Sequence, residues 1–446
     1  MSITNEVANF WDRHRVLIKG FLTGFLILIM LIPTALLLGL VSEREQRQAQ
    51  VIEEISSKWA SAQTLQGPVL IVPYKTVTTT EGKTYETVRQ AYLLPEHLSI
   101  NGKLLPEVRH RSLYSVTLYR SAVLMEGTFG AFPAELLQID PAQIMWNDCH
   151  LVMGLNDARG LEEEVTLNWS GAQKIFEAGM PDNKVVSGGL SVPLALAQGT
   201  NTFSISIKLK GSGHLYFTPV GKTTEVKLSS AWKDPAFDGQ YLPVQTPEIT
   251  DNGFSAYWKV LQVSRSYPQA WKESATYEIG QSSFGVKLIQ PTDGYAKTSR
   301  SVKYAILFIA LTFTIFFFLE LLQKKEVHPL QYILVGMALC IFYSLLLSIS
   351  EYTGFNPAYA IAATATVSLI GLYTWSIFRK LKIALGFTLA LSGLYGYIFI
   401  LIQLQDYSLL FGSIGLFVIV AIIMYYSRRV DWYGITRPQP DKQTAL

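Results

Sequence analysis

The stretch TFSISIKLKGSGHLYFTPVGKTTEVKLSSAW, Thr202 to Trp232, decides how more than half of this chain is read. Phe203, Ile205, Ile207 and Leu209 alternate with Ser204, Ser206 and Lys208, a period of two that sends successive side chains to opposite faces of a strand. Three runs, Phe203–Leu209, His214–Pro219 and Thr223–Leu228, are separated by Gly211-Ser212-Gly213 and Val220-Gly221-Lys222, residues that suit hairpin loops. The spacing predicts a β-meander in which each strand pairs with the next.

Working outward, Thr84–Leu94, Ser112–Leu124, Val165–Trp169, Ser255–Gln262 and Phe284–Ile289 carry the same β-branched and aromatic enrichment. GPVLIVPY, Gly67–Tyr74, reads as a short buried strand bounded by Pro68 and Pro73. Helical content is expected to be minor, with Gly171–Ala178 as one candidate, and no repeat of 20–50 residues appears, which disfavours a propeller or solenoid. The region from residue 42 to 303 is therefore expected to be a mainly-β domain, a sandwich or open barrel.

On either side of that domain the composition changes. Apolar runs at Leu17–Val41, Tyr304–Leu322, Leu330–Ile349, Pro357–Phe378, Ile383–Gln403 and Leu409–Tyr426 each approach the roughly 20 helical residues that cross a hydrocarbon core. The expected fold class is thus an α-helical membrane protein with six transmembrane helices and a large mainly-β periplasmic domain inserted between the first and second. Of the 37 Lys and Arg, twelve lie outside Ser42–Lys303 and all flank the same ends of these runs: Arg13, Arg15 and Lys19, then Lys324 and Lys325, then Arg379, Lys380 and Lys382, then Arg428, Arg429, Arg437 and Lys442. The alternate connections carry only Glu351 and Asp406. Positive-inside topology then places both termini in the cytoplasm and the β-domain outside, in the periplasm. The expected divisions are 1–41 for the N-terminus and anchor, 42–303 for the β-domain, 304–426 for a five-helix bundle and 427–446 for a cytoplasmic tail, disordered from Arg437.

The first apolar run exceeds the h-region of a signal peptide and is followed by no small-x-small cleavage site, so it reads as an uncleaved anchor, kinked or locally opened at Pro33. Val51, Ile55, Trp59 and Ala62 keep a helical spacing beyond it, with a stop expected at Gly67-Pro68. Within Ser42–Lys303, 25 basic residues face 26 acidic ones, a balance that offers nucleic acid no attraction.

Chemistry-bearing patterns are sparse. The chain has no phosphate loop, no GxGxxG after a strand, no HExxH, CxxC or GxSxG, so no catalytic residue, cofactor or metal is expected. Its six histidines, at positions 14, 97, 110, 150, 214 and 328, never fall four apart on a helix, as a zinc pair would. Cys149 and His150 are neighbours on an expected strand and point to opposite faces, which prevents a thiol–imidazole bond. The polar turn Asn156-Asp157-Ala158-Arg159-Gly160 is either a brace in which Asp157 and Arg159 hold each other or backbone, or a loop that faces a ligand. No ionisable group is expected at mid-depth in the membrane; Glu320 falls near the end of the second span, and the glycines at 371, 386, 393, 396, 412 and 415 suit close helix packing or, alternatively, openings for a small pathway.

GPVLIVPY, YLLPEHLSINGK (Tyr92–Lys103), GLNDARG (Gly154–Gly160), SVKYAILFIALTF (Ser301–Phe313), HPLQYILVGMALCIFYSLLLSISEYTGF (His328–Phe355) and VDWYG (Val430–Gly434) together resemble the CreD family of bacterial inner membrane proteins, over nearly the whole chain. The resemblance implies a gene under two-component control and links to envelope integrity, colicin tolerance and the response to β-lactams. It carries over no catalytic residue. The matching polar positions, Asp157 and Arg159 outside and His328, Gln331 and Glu351 around the third span, are the candidate functional surface. The expected partners are the lipid bilayer and a periplasmic envelope component or protein, with the oligomeric state left open. Alternatives are a transporter or lipid handler using the bundle, and a membrane-embedded envelope-modifying enzyme.

Overall fold

Thr202–Trp232 does form three strands, but none of them pairs with the next. In the computed structural model, which describes residues 3–80, 83–182, 184–186, 188–197, 199–289, 294–323, 325–404 and 407–428, Asn201–Ser212 lies between Tyr114–Phe129 and Thr166–Trp169 in an eight-stranded sheet. His214–Phe217 belongs to a second, nine-stranded sheet, between Gln63–Thr80 and Phe284–Leu288. Thr223–Ser230 then returns to the first sheet, between His97–Arg111 and Gly253–Leu261. The expected meander is corrected to a stitch between two sheets. Gly213, at φ 72°, takes the backbone from one sheet to the other. Ile205 and Ile207 from one wall and Leu215 and Phe217 from the other enter the same core. Alternation reports that a strand has a buried face; it does not report which strand lies beside it.

The two sheets share one apolar core, with Trp258, Tyr92, Tyr119, Phe129, Phe217 and Phe284 among its fully buried side chains, so the β-domain is a sandwich. At about 25 cal/mol per Å² of apolar surface, burying each such aromatic stabilises the fold by a few kcal/mol, which makes a disulfide unnecessary at this size. Both cysteines are free. His97–Arg111, missed by the sequence reading because Gly102 and Pro106 interrupt its pattern, pairs along its whole length with Tyr114–Phe129.

Three local expectations are also corrected. Gly171–Ala178 is not a helix: Ser170 and Gly171, both at positive φ, make a two-residue turn that pairs Thr166–Trp169 with Ala172–Ile175, and Glu177–Ala178 joins the other sheet. The anchor helix stops at Trp59, not at Gly67-Pro68, because Gln63–Leu65 already pairs in parallel with Leu215–Phe217. Nor do Pro68 and Pro73 bound the following strand, which runs through both as Gln63–Thr80. Its register against Cys149–Leu155 shifts between Gln66 and Val69, and that irregularity accommodates a proline with no N–H to give.

The helices are α1 (Ile3–Trp59), α2 (Gly294–Lys303), α3 (Ala305–Gln323), α4 (Pro329–Thr353), α5 (Phe355–Phe378), α6 (Leu381–Gln403) and α7 (Ser408–Ser427). Among the described residues five are long and apolar enough to cross a membrane, namely α1 and α3 to α6, while α7 contributes a shorter apolar run, Leu410–Tyr425. α1 continues through Pro33. The short helix α2, preceding the second apolar run, was not foreseen. Two compact units result, Ala49–Pro291 and Met1–Gln48 with Thr292–Leu446, and α1 contributes to both. The tail expected to be disordered from Arg437 lies outside the described residues.

Candidate functional site

Asp157 and Arg159 meet, and together they close off the end of α1. The turn Ala158–Gly160 begins at Asp157, whose Oδ1 accepts from the Arg159 backbone N–H at 3.1 Å and from its Nε at 2.9 Å. Oδ2 accepts from the other arm of the guanidinium at 2.8 Å and from Ser61 N and Oγ at 3.0 and 3.2 Å. Arg159 also donates 2.8 Å to the carbonyl of Ser57, one of the last carbonyls of α1, which no helical N–H can reach. Gln63 Nε2 donates to the Asp157 carbonyl, and a Cβ at Gly160 would come within 2.3 Å of that nitrogen, so only glycine fits. The guanidinium of Arg159 and these amide and hydroxyl donors hold the Asp157 carboxyl well below the usual carboxylate range. Nearby, Arg109 lies 4.1 Å over the Trp59 ring and Lys210 4.8 Å from it. This arrangement is the brace.

In the helical unit, His328 and Gln331 also meet. His328 is the N-cap of α4: its Nδ1 accepts from Leu330 N at 3.2 Å, and its backbone N–H donates to Gln331 Oε1 at 3.1 Å. The pair is a capping box with histidine in place of serine, followed by proline at the first helical position. Glu351 stands at the other end of α4, where its Oε1 accepts from Tyr295 of α2 at 3.1 Å and lies 3.8 Å from Arg44 of α1. The candidate residues of this unit therefore occupy the two ends of one helix and do not converge.

The more deeply built polar cluster was missed. Glu320, 4% exposed in the last turn of α3, accepts from Lys19 of α1 and from Val327 N at 3.1 Å on Oε1, and from Tyr332 OH of α4 at 2.9 Å on Oε2. A carboxylate near a helix C-terminus opposes the helix dipole and needs a cation. That mismatch, together with Lys19 at the start of an apolar run, was the available signal. Tyr332 packs edge-on against Phe313 and Phe316, which keeps the cluster dry on that side.

Cys149 is fully buried, and burial pushes its thiol up to about 12; a thiol held so far above neutral is no nucleophile. His150 points away, to the carbonyl of Asp148. Among the described residues no three His, Cys, Asp or Glu side chains gather as metal ligands. The eight-stranded sheet does offer a surface: its outer face carries hollows of about 390 Å³ at His97, Ser99, Glu126 and Glu225, and about 350 Å³ at Asn101, Ala122, Lys227 and Ser229. A third, of about 360 Å³, continues the row at Lys103, Glu248 and Ser255.

A model of the family described as "Inner membrane protein CreD" matches residues 15–433. The curated Inner membrane protein CreD of Escherichia coli (strain K12) is 31% identical over 423 residues, covering 93% of each chain. Among solved structures, native yeast LTA4 hydrolase aligns over 50% of this chain and 35% of its own with 8% identity and a TM-score of 0.20, a likeness too small to inform the fold. The full-length match and the apolar helices agree, and this chain belongs to the CreD family of inner membrane proteins.

Proposed function

We propose that the chain spans the inner membrane six times with both termini in the cytoplasm. Its β-domain, in the periplasm, docks an envelope component or protein partner, and so contributes to envelope integrity and the envelope-stress response, including β-lactam and colicin tolerance. In this reading the protein is an adaptor and not an enzyme. The observation that carries it is the row of three shallow hollows on the outer face of the eight-stranded sheet, lined in part by the small side chains Ser99, Ala122, Ser229 and Ser255. Open relief lined by both polar and apolar groups on a sheet face suits recognition of a partner's projecting groups. The periplasmic placement draws on the one-sided distribution of the basic residues flanking the apolar helices.

Two experiments test this reading. An impermeant thiol reagent applied to intact cells should label single cysteines introduced at Asn101 or Ser229 and spare one at Lys325 or Arg379; the reverse pattern would invert the topology. Photo-crosslinkers at Asn101 and Ser229 should capture the same species in living cells, and Ala122→Arg, which fills a hollow, should abolish that capture. Equal capture from Glu177, on an edge strand of the other sheet, would remove the case for this face.

A further inference from the structure

Five hydroxyls buried in the helical unit find no hydrogen-bond partner among the described residues: Thr298, Ser301, Thr312, Tyr343 and Tyr395. None is more than 3% exposed. Serine and threonine in apolar helices ordinarily bond a carbonyl one turn back, as Thr23, Thr314, Thr364, Thr374 and Thr388 do here. Thr298, Ser301 and Thr312 do not. Buried polar groups without a partner are costly and rare, so five in one helical core call for a physical reason.

Their placement supplies one. α2 and α3 are separated only by Tyr304, whose N–H reaches back to Arg300 and Ser301 and whose carbonyl accepts from Leu307 and Phe308. Along that nearly unbroken helix, Thr298, Ser301, Ala305, Phe308, Thr312, Phe316 and Glu320 recur at spacings of three and four and are all buried, which makes them one inward stripe. Phe308 on the stripe packs 4.5 Å from Tyr395 of α6 and 6.0 Å from Tyr343 of α4, so both tyrosines join it in the gap between Ser301 and Thr312. One end of the stripe is Glu320 with Lys19 and Tyr332; one turn before the other end is Tyr295, bonded to Glu351 beside Arg44. Tyr332 and Glu351 lie at opposite ends of α4, about 28 Å apart at the helical rise, close to the roughly 30 Å of a hydrocarbon core.

We infer that this stripe is a proton path: a line of hydroxyls, joined by ordered water, that links Glu351 on one side of the membrane to Glu320 on the other. A proton bound at the Glu351 carboxylate is passed on as each hydroxyl or water oxygen accepts one proton and releases another, and it arrives on the Glu320 carboxylate; one positive charge crosses and no bond to carbon changes. Arg44 and Tyr295 face the first carboxylate, and Lys19, Tyr332 and the Val327 N–H face the second, so each end offers a proton acceptor set among hydrogen-bond donors. Phe308 and Phe316 interrupt the stripe as fully buried rings, so the path is a line of separate hydroxyls and not an open water pore.

The test uses the full chain reconstituted in vesicles with an entrapped pH-sensitive dye and a potassium diffusion potential to drive protons. Wild-type protein should carry a potential-dependent proton flux above that of protein-free vesicles. Thr312→Val and Tyr343→Phe, which remove one hydroxyl at nearly constant volume, should each lower it on the order of tenfold, the effect of one lost hydrogen bond on a barrier. Thr314→Val, two residues from Thr312 and so about half a turn around the helix from the stripe, is satisfied by its own helix and should leave it unchanged. Detergent melting curves identify any variant that misfolds, and Tyr395→Phe then replaces it. A wild-type flux equal to that of empty vesicles, or equal flux in Thr312→Val and Thr314→Val, overturns the path.

Discussion

α1 is gripped by a carboxylate in each unit, by Glu320 near its start and by Asp157 at its end, and the two grips differ in how much water reaches them. Both carboxylates accept from a cation, a hydroxyl and at least one backbone N–H: Lys19, Tyr332 and Val327 for Glu320; Arg159, the Ser61 hydroxyl and the Ser61 and Arg159 amides for Asp157. The side chain of Arg159 is 67% exposed, whereas that of Lys19 is 27% exposed. Water can solvate an abandoned Arg159; it reaches an abandoned Lys19 far less. Similar kinds of donor therefore make a forgiving brace in one unit and an unforgiving one in the other.

The largest effect should follow removal of Glu320. Glu320→Leu leaves the Lys19 ammonium uncompensated and should cost about 3 kcal/mol in unfolding of the purified protein, the lower end for a broken buried pair because Lys19 keeps some solvent. Lys19→Met added to Glu320→Leu should recover most of that loss. No recovery would mean the pair is not what the cluster rests on.

Asp157→Ala should cost less, about 2 kcal/mol, chiefly through the donors of Ser61 left without an acceptor, with the exposed ion pair itself adding little. Here removing Arg159 as well should bring little recovery. A double-mutant coupling as strong as that of the Lys19 and Glu320 pair would erase the contrast between the two grips.

Acid sharpens it further. Glu54, beside Lys58 and Arg111, is held down to about 2, and Asp157 is also depressed. Groups whose folded values are depressed contribute stability that is complete above their unfolded values, near 4, and is lost as pH falls through the folded ones. Tryptophan-monitored melting should therefore decline below about pH 4, with a shallower decline in Asp157→Asn. An equal slope in that variant would remove Asp157 from the account.

The smallest effect belongs to the cap of α4. His328→Ala should cost about 1 kcal/mol and His328→Asn almost nothing, because asparagine can also accept from the first turn. Equal melting temperatures for His328→Ala and wild type would show that the cap adds nothing.

Much of the candidate site was legible in part. The turn at Asp157 and Arg159 was readable because both partners are local, two residues apart, and its brace reading needed only short-range geometry. His328 and Gln331 were readable as a polar pair three apart, though their capping role required the backbone. Glu320 and Lys19 were separated by most of the chain, and nothing in either local sequence names the other. The hydroxyls of Thr298, Ser301 and Thr312 were hidden for another reason: α2 was read as the end of the β-domain, so the stripe that continues into α3 had no visible beginning.

The sequence by itself determined the period of each segment: apolar length for the spans, two-residue alternation for Asn201–Ser212 and Thr223–Ser230, and the one-sided basic residues at the helix ends. These are local quantities, set by which face of an element avoids water. Only the tertiary structure decided that Thr202–Trp232 crosses between two sheets and that Gly171–Ala178 pairs as strands. It also decided that α1 stops at Trp59 and that Glu320 finds Lys19. In each case the energy comes from contacts between residues distant along the chain, and periodicity, which records how a residue relates to its neighbours in sequence, carries no information about them.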